Sequence, residues 1–190
     1  PCRVHKLELV APDVMVISLK LPTNQRLQFL AGQYIDILLK DGKRRSFSLA
    51  NAPHDDEYLE LHARNYPGGV FTEHVFTNMK VKDMLRFTGP LGSFFLRDTP
   101  EECSIIFLAS GTGFAPIKSI LEHVFHQEGG RHRKRNMTLY WGARTKSDLY
   151  LADLADKWQR EHDNFTFIPV LSEPLPSDNW QGRTGLVHPA

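Results

Sequence analysis

The feature that most constrains this chain is a single change of hydrophobic rhythm, near residues 97–103. Before it, apolar and polar residues alternate over short stretches. Val14, Val16 and Ser18 oppose Met15, Ile17 and Leu19, Lys6 and Glu8 alternate with Leu7 and Leu9, and β-branched residues are frequent. That is the pattern of half-buried strands. Further strands are expected at 33–39, 45–50, 58–64 and 84–88, with turns at Pro12–Asp13, Pro22–Asn24, Asp41–Gly42 and Asn51–His54. Many short strands at close spacing predict a small antiparallel barrel or sandwich. One helix interrupts them after Gly68–Gly69, where Val70, Val75, Phe76 and Met79 can share a face.

The segment Arg97–Cys103 (RDTPEEC) is polar and carries Pro100, and beyond it the pattern is different. Ser104–Ala109 is a continuous apolar run, as expected of a parallel strand covered on both faces. A glycine turn follows, then Ile117, Ile120, Leu121, Val124 and Phe125 at helical spacing, with Pro116 suited to the first turn. A strand at 137–141, a helix at 149–160 and a strand at 165–171 complete an alternation that predicts a doubly wound parallel α/β domain. The expected organisation is therefore an antiparallel β-barrel over 1–98 and an α/β domain over 103–190.

Composition removes several function classes. Lys and Arg number 23 against 22 Asp and Glu, a net charge of +1, and nucleic-acid or membrane-surface partners need a basic excess. The run Arg131–Arg135 (RHRKR) accordingly reads as a solvated loop. No apolar run approaches the ~20 residues of a membrane span, and no signal peptide is visible. Cys2 and Cys103 stand alone, so this chain cannot by itself build a four-cysteine cluster, and a reducing, cytoplasmic setting is expected. Cys103, at the head of an apolar strand, reads as packing. The nine histidines show no HExxH or paired spacing, so no metal site is expected, and there is no GxSxG elbow.

Four places could carry chemistry, each with a plainer alternative. On the strand Arg45–Ser46–Phe47–Ser48, alternation puts Arg45 and Phe47 on one face and Ser46 and Ser48 on the other. A guanidinium can clamp a phosphate and a ring can stack on a flat cofactor, or the pair is one surface cation and one core ring. Gly68–Gly69–Val70–Phe71–Thr72 lets the backbone approach a ligand and aims helix N–H groups at a phosphate, or is a turn capped by Thr72. Gly111–Thr112–Gly113 with Pro116 lies where α/β sheets bind nucleotides, although its spacing is neither GxGxxG nor a Walker A loop; a structural turn is the alternative. Gly142 and Arg144 end the next strand, where an arginine can meet an adenosine half or simply be solvated.

Taken in order, these motifs resemble the ferredoxin–NADP reductase superfamily, over nearly the whole chain. RRSFSLAN (44–51) is similar to its RxYS flavin motif, YPGGVFT (66–72) to its pyrophosphate loop, and GPLGSF (89–94) to the segment closing its barrel. LASGTGFAPIKSIL (108–121) and LYWGART (139–145) resemble its nicotinamide-domain glycine turn and second strand. The nearest branch is that of NAD(P)H–flavin reductases and reductase components of oxygenases. The resemblance implies that Arg45 holds the flavin phosphate, Phe47 lies on the isoalloxazine and Ser48 bonds near flavin N5, where hydride arrives. It implies that His62, Ala63 and Arg64 line the flavin tail and that Gly68, Gly69, Val70, Phe71 and Thr72 hold the pyrophosphate, favouring FAD over FMN. Gly111, Thr112 and Gly113 would receive the nicotinamide end, and Arg144 and Ser172 would bracket the adenosine.

Phe47 stands where the family has tyrosine, so stacking is kept and one hydroxyl contact is lost. Glu173 stands where NADPH users carry arginine, and a carboxylate there favours NADH. The family's CGxP segment and last strand are not found, so the resemblance implies an α/β domain incomplete at its C-terminus. The implied activity is hydride transfer from NADH to FAD, with electrons passed to a flavin, a ferredoxin-type domain or an oxygenase. The alternatives are a flavin-binding electron relay without its own NAD(P)H activity, and a non-catalytic barrel with a nucleotide-sensing domain.

Overall fold

The structure is a computed structural model and describes residues 1–188; the last two residues of the expected α/β domain lie outside them. The chain forms two compact units, one of Pro1–Arg97 with Ala115–His126, the other of Asp98–Phe114 with the residues from Gln127 onward.

The first unit is built from β1 (Cys2–Ala11), β2 (Val14–Lys20), β3 (Tyr34–Leu38), β4 (Arg44–Ser48), β5 (Leu59–Arg64), helix α1 (Val70–Thr77) and β6 (Met84–Leu91). The strands pair antiparallel in the order β4-β3-β6-β1-β2-β5. An isolated bridge between Leu49 and Leu61, and a bond from Ala50 N–H to the Glu60 carbonyl at 2.8 Å, join the two ends. These contacts draw the two ends of the sheet together into a barrel. Ile17, Leu19, Ile35, Ile37, Leu59 and Leu61 are buried as the alternation predicts, but Leu9 is 59% exposed and Val14, on the face expected outward, is buried.

Helix α1 departs from expectation by one step of its wheel. Phe71 and Val75, at i and i+4, are buried, as is Met79 just past the helix end, while Val70 is 64% exposed. Val70 opens the helix, so its side chain precedes the packed turn.

The second unit holds β7 (Ile105–Ser110), β8 (Met137–Ala143), helix α3 (Ala152–Glu161), β9 (Phe165–Leu171) and the short β10 (Arg183–Thr184); helix α2 (Phe114–His126) follows β7 and contributes Phe114 here. The sheet is parallel and runs β7-β8-β9-β10. Among the described residues the order advances one way and does not turn back past β7. Trp141 is the centre of the core, stacked on Phe114 at 4.0 Å and edge-on to Tyr150 at 5.2 Å, with its indole N–H on the Gly111 carbonyl at 3.0 Å.

Three expectations for this unit are corrected. The apolar run of β7 is covered on one face only: Phe107 and Ala109 are buried, but Ile106 and Leu108 are 66% and 54% exposed, because among the described residues nothing covers that face. Cys103 is exposed, since β7 begins two residues later. Arg135, expected with its neighbours to lie in a solvated loop, is buried. Its Nε donates to the Cys103 carbonyl at 2.6 Å and its Nη1 to Thr99 Oγ1 at 2.8 Å, so it ties the 98–103 segment to the entry of β8. No helix of the described residues is long and apolar enough to cross a membrane.

Candidate functional site

The barrel carries the first candidate site. Register on β4 places Phe47 opposite Ile35 and Arg45 opposite Ile37, while Ser46 faces Asp36 and Ser48 faces Tyr34. Directly paired residues share a face, so the expected alternation holds. Phe47 is half-buried, rests on the barrel core and lies 5.5 Å from the Phe71 ring. Arg45 donates from Nη1 to the Arg44 carbonyl at 2.8 Å, and Ser46 Oγ donates to Asp36 Oδ1 at 2.6 Å.

The glycine loop is shaped for close approach. Gly68 has φ +80°, a conformation that favours glycine. A Cβ on Gly69 would collide with Thr72 Oγ1 and come within 3.0 Å of the Tyr66 carbonyl oxygen. The Thr72 hydroxyl donates to the Gly69 carbonyl at 3.0 Å and accepts from Tyr66 N–H at 3.4 Å. It braces the turn without capping the helix, and Gly69 offers no side-chain cap, so the first N–H groups of α1 stay available. Glu73 Oε1 accepts from Gly68 N–H at 2.9 Å, so this backbone already attracts an anionic oxygen. Arg64, at the end of β5, holds buried Nε and Nη2 atoms without a hydrogen-bond partner, with Nε 3.4 Å from Asp13 Oδ2. Asp13 balances the charge, but buried N–H groups left without a hydrogen bond are costly unless something else binds them. Orphaned donors, a loop only glycine fits and open helix N–H groups together fit a phosphate-bearing cofactor.

His62, Ala63 and Phe71 sit deeper than the other residues expected around the flavin. All three are buried in the barrel, so what they can offer a ligand is backbone. His62 belongs to a charged cluster that no sequence signal marked. Its Nε2 lies 2.8 Å from Glu60 Oε1, and since an ionised carboxylate only accepts, Nε2 is the protonated nitrogen. Lys118 of α2, itself buried, sets its ammonium 3.2 Å from Glu60 Oε1, 3.2 Å from Glu122 Oε2 and 3.3 Å from the Ala50 carbonyl. Beside it, Ser119 Oγ donates to the Asn51 carbonyl at 2.7 Å, and Asn51 Oδ1 accepts from Glu60 N–H at 2.9 Å. Burial alone would raise the Glu60 carboxyl, but the His62 hydrogen bond and the Lys118 charge pull it down to about 2. Burial pushes Glu122 up and His62 down, so the imidazole is neutral near pH 7. From sequence, Lys118 and Glu122 look like an ordinary exposed i,i+4 pair; only a buried helix makes them a clamp on the segment that follows β4.

The second unit carries the other candidate site. Gly111, Thr112 and Gly113 form a 3-10 turn between β7 and α2, and Pro116 sits in the first turn of α2 as expected. Gly111 has φ +55°, and a Cβ at Gly113 would meet open space. At the ends of β8 and β9 the chain brings together residues that sequence only suggested. Ser172 N–H donates to the Ala143 carbonyl and Glu173 N–H to the Arg144 carbonyl, each at 2.9 Å, and the Arg144 and Glu173 side chains are exposed. Gly142 is closely packed: a Cβ there would press on Val187 at 3.0 Å. Among the described residues no cluster of His, Cys, Asp or Glu could hold a metal ion.

Known proteins share both halves. Residues 1–96 match the oxidoreductase FAD-binding domain family and residues 107–190 the oxidoreductase NAD-binding domain family. The chain is 40% identical over 190 residues to the CDP-6-deoxy-L-threo-D-glycero-4-hexulose-3-dehydrase reductase of Yersinia pseudotuberculosis, covering 100% of this chain and 55% of that protein. It is 40% identical over 184 residues to the terephthalate 1,2-dioxygenase reductase component 2 of a Comamonas species, covering 95% and 53%. Among solved structures it is similar to the Amycolatopsis cytochrome P450 reductase GcoB, with TM-score 0.86 and 34% identity over 98% of this chain and 54% of that one. The chain spans about half the length of the curated relatives it matches. With an FAD-binding domain followed by an NAD-binding domain, the chain belongs to the ferredoxin–NADP reductase superfamily of oxidoreductases.

Proposed function

We propose that this chain is the flavin- and nucleotide-binding part of an NADH-dependent reductase that delivers electrons to a flavin, a ferredoxin-type domain or an oxygenase. Residues 1–98 are the flavin domain and 103–190 the nucleotide domain in this reading. The observation that carries it is the arginine and glycine loop at this end of the barrel: Arg64, paired with Asp13 but with two buried nitrogens short of a hydrogen bond, and the tight Gly68–Thr72 turn that leaves the first N–H groups of α1 open. Bound FAD would supply the redox chemistry, linking a two-electron hydride donor to one-electron acceptors.

The protein's own residues bind and orient. Arg45, Arg64 and the N–H groups opening α1 neutralise the pyrophosphate, Phe47 offers a flat apolar surface, and Ser48 offers a hydroxyl toward flavin N5. Gly111, Thr112 and Gly113 receive the nicotinamide end. Arg144 and Ser172 take the adenosine, and the Glu173 carboxylate accepts ribose hydroxyls while repelling a 2′-phosphate. No side-chain general base is required, because the cofactor carries the electrons.

Purified protein tests this directly. It should take up FAD with a yellow absorbance, and anaerobic NADH should bleach it. Protein that binds flavin but is not bleached by NADH is the electron relay. Protein that takes up no flavin refutes both readings.

A further inference from the structure

Asp178 lies outside every residue assigned above, in the turn that follows β9. A single carboxylate oxygen, Oδ2, accepts two backbone N–H groups, Leu175 at 2.9 Å and Lys146 at 3.2 Å. Leu175 belongs to the segment after β9. Lys146 opens the turn after β8, 32 residues from Asp178 in sequence. The same two segments are joined upstream by the Ser172–Ala143 and Glu173–Arg144 backbone bonds. Thr145 is held on its own side by Asp148 Oδ2, which accepts its N–H at 3.2 Å and its hydroxyl at 3.1 Å. Arg144 and Glu173 thus sit on two loops fastened on one flank by ladder bonds and on the other by Asp178.

We propose that Asp178 is a positioning residue for recognition of the adenosine half of a pyridine dinucleotide. The role rests on reading this unit as the nucleotide domain. Glu173 and Arg144 are exposed and act on the ligand through charge, which falls off inversely with distance. Discrimination between a ribose hydroxyl and a 2′-phosphate therefore needs their backbones held at one spacing. Short backbone bonds hold the near side. The Asp178 carboxylate holds the far side, where neither loop is in a strand.

The test uses the FAD-loaded chain, with direct calorimetric binding of NAD⁺ and NADP⁺ and a melting curve for each variant. Asp178→Ala should weaken NAD⁺ binding roughly 3–30-fold, the range for losing a capping side chain, and narrow the preference for NAD⁺ over NADP⁺. FAD affinity should not change. Asp178→Asn keeps an acceptor oxygen and should restore most of the NAD⁺ binding. Leu175→Pro keeps the charge and removes one N–H at a position whose φ of −78° suits proline, so it should weaken NAD⁺ by a smaller factor and serves if Asp178→Ala fails to fold. Wild-type NAD⁺ affinity in Asp178→Ala or in Leu175→Pro overturns the proposal. So does an Asp178→Asn variant as weak as Asp178→Ala, because the charge rather than the tie would then matter. A wild-type chain that binds FAD but neither dinucleotide refutes the nucleotide reading itself, before any variant is made.

Discussion

Lys118→Met removes the cation at the centre of the barrel's buried cluster while keeping the length of the side chain. Lys118 is 8% exposed, and the Glu60 and Glu122 side chains only 26% and 29%. Both carboxylates then lose their ion pair, and the Ala50 carbonyl loses a donor. Breaking a buried pair by deleting one partner costs about 3–5 kcal/mol. A quarter of each carboxylate is still wet, which puts the expected loss near 3 kcal/mol at pH 7. For a chain of this size that lowers the melting temperature by about 6–12 °C.

The pH dependence separates this cause from lost packing. In the wild type the Glu60 carboxyl is held at about 2 against an ordinary 4.5. A depressed carboxylate stabilises the fold above its unfolded pKa, and that contribution, about 3 kcal/mol, is lost as pH falls from about 4.5 towards 2. Glu122 is raised, so its contribution has the opposite sign and disappears as pH rises through its folded value. Without Lys118 both carboxyls prefer to protonate, so the variant should approach the wild type as pH falls from 7 to 4. Denaturant melts of both proteins across that range provide the check. A difference below about 1 kcal/mol at pH 7, or one that does not change with pH, would refute the reasoning. Glu122→Gln added to Lys118→Met should recover part of the loss.

Arg135→Met should cost about 2–4 kcal/mol in denaturant melts, because it strips a charged donor from the Cys103 carbonyl and from Thr99; a loss under 1 kcal/mol would mean these bonds are replaced by water. Gly69→Ala should weaken FAD binding about tenfold, or ~1.4 kcal/mol, by forcing Thr72 and Tyr66 out of the turn, with flavin fluorescence titration as the readout. Arg45→Ala should likewise lower flavin affinity, and unchanged affinity would remove Arg45 from the phosphate site. Glu173→Arg should move the ratio of catalytic efficiencies towards NADPH by at least about tenfold, since one unit charge near 4 Å is worth about 1–4 kcal/mol between water and a protein surface. Equal efficiency with both dinucleotides in the wild type would already contradict the role of Glu173.

What the residues alone determined was local. Helical spacing in Ile117–Phe125 reports which face of that helix is apolar, alternation does so for most of the barrel strands, and the motifs in their order carried a family resemblance that implied a flavin half and a nucleotide half. These are properties of neighbours in the chain, so they survive without knowledge of its path. Whatever depended on partners far along the chain was decided by the tertiary structure. The pairing of β3 with β6 and of β1 with β6, the burial of Lys118, Arg135 and His62, the one-sided cover of β7, and the tie from Asp178 to Lys146 all join distant segments. A charged residue carries no periodic signal of whether a distant carbonyl or carboxylate will meet it. Only the closed barrel and the assembled sheet bring those groups within 3 Å or so, and it is at that range that desolvation and hydrogen bonding decide which charges are structural and which remain open to a ligand.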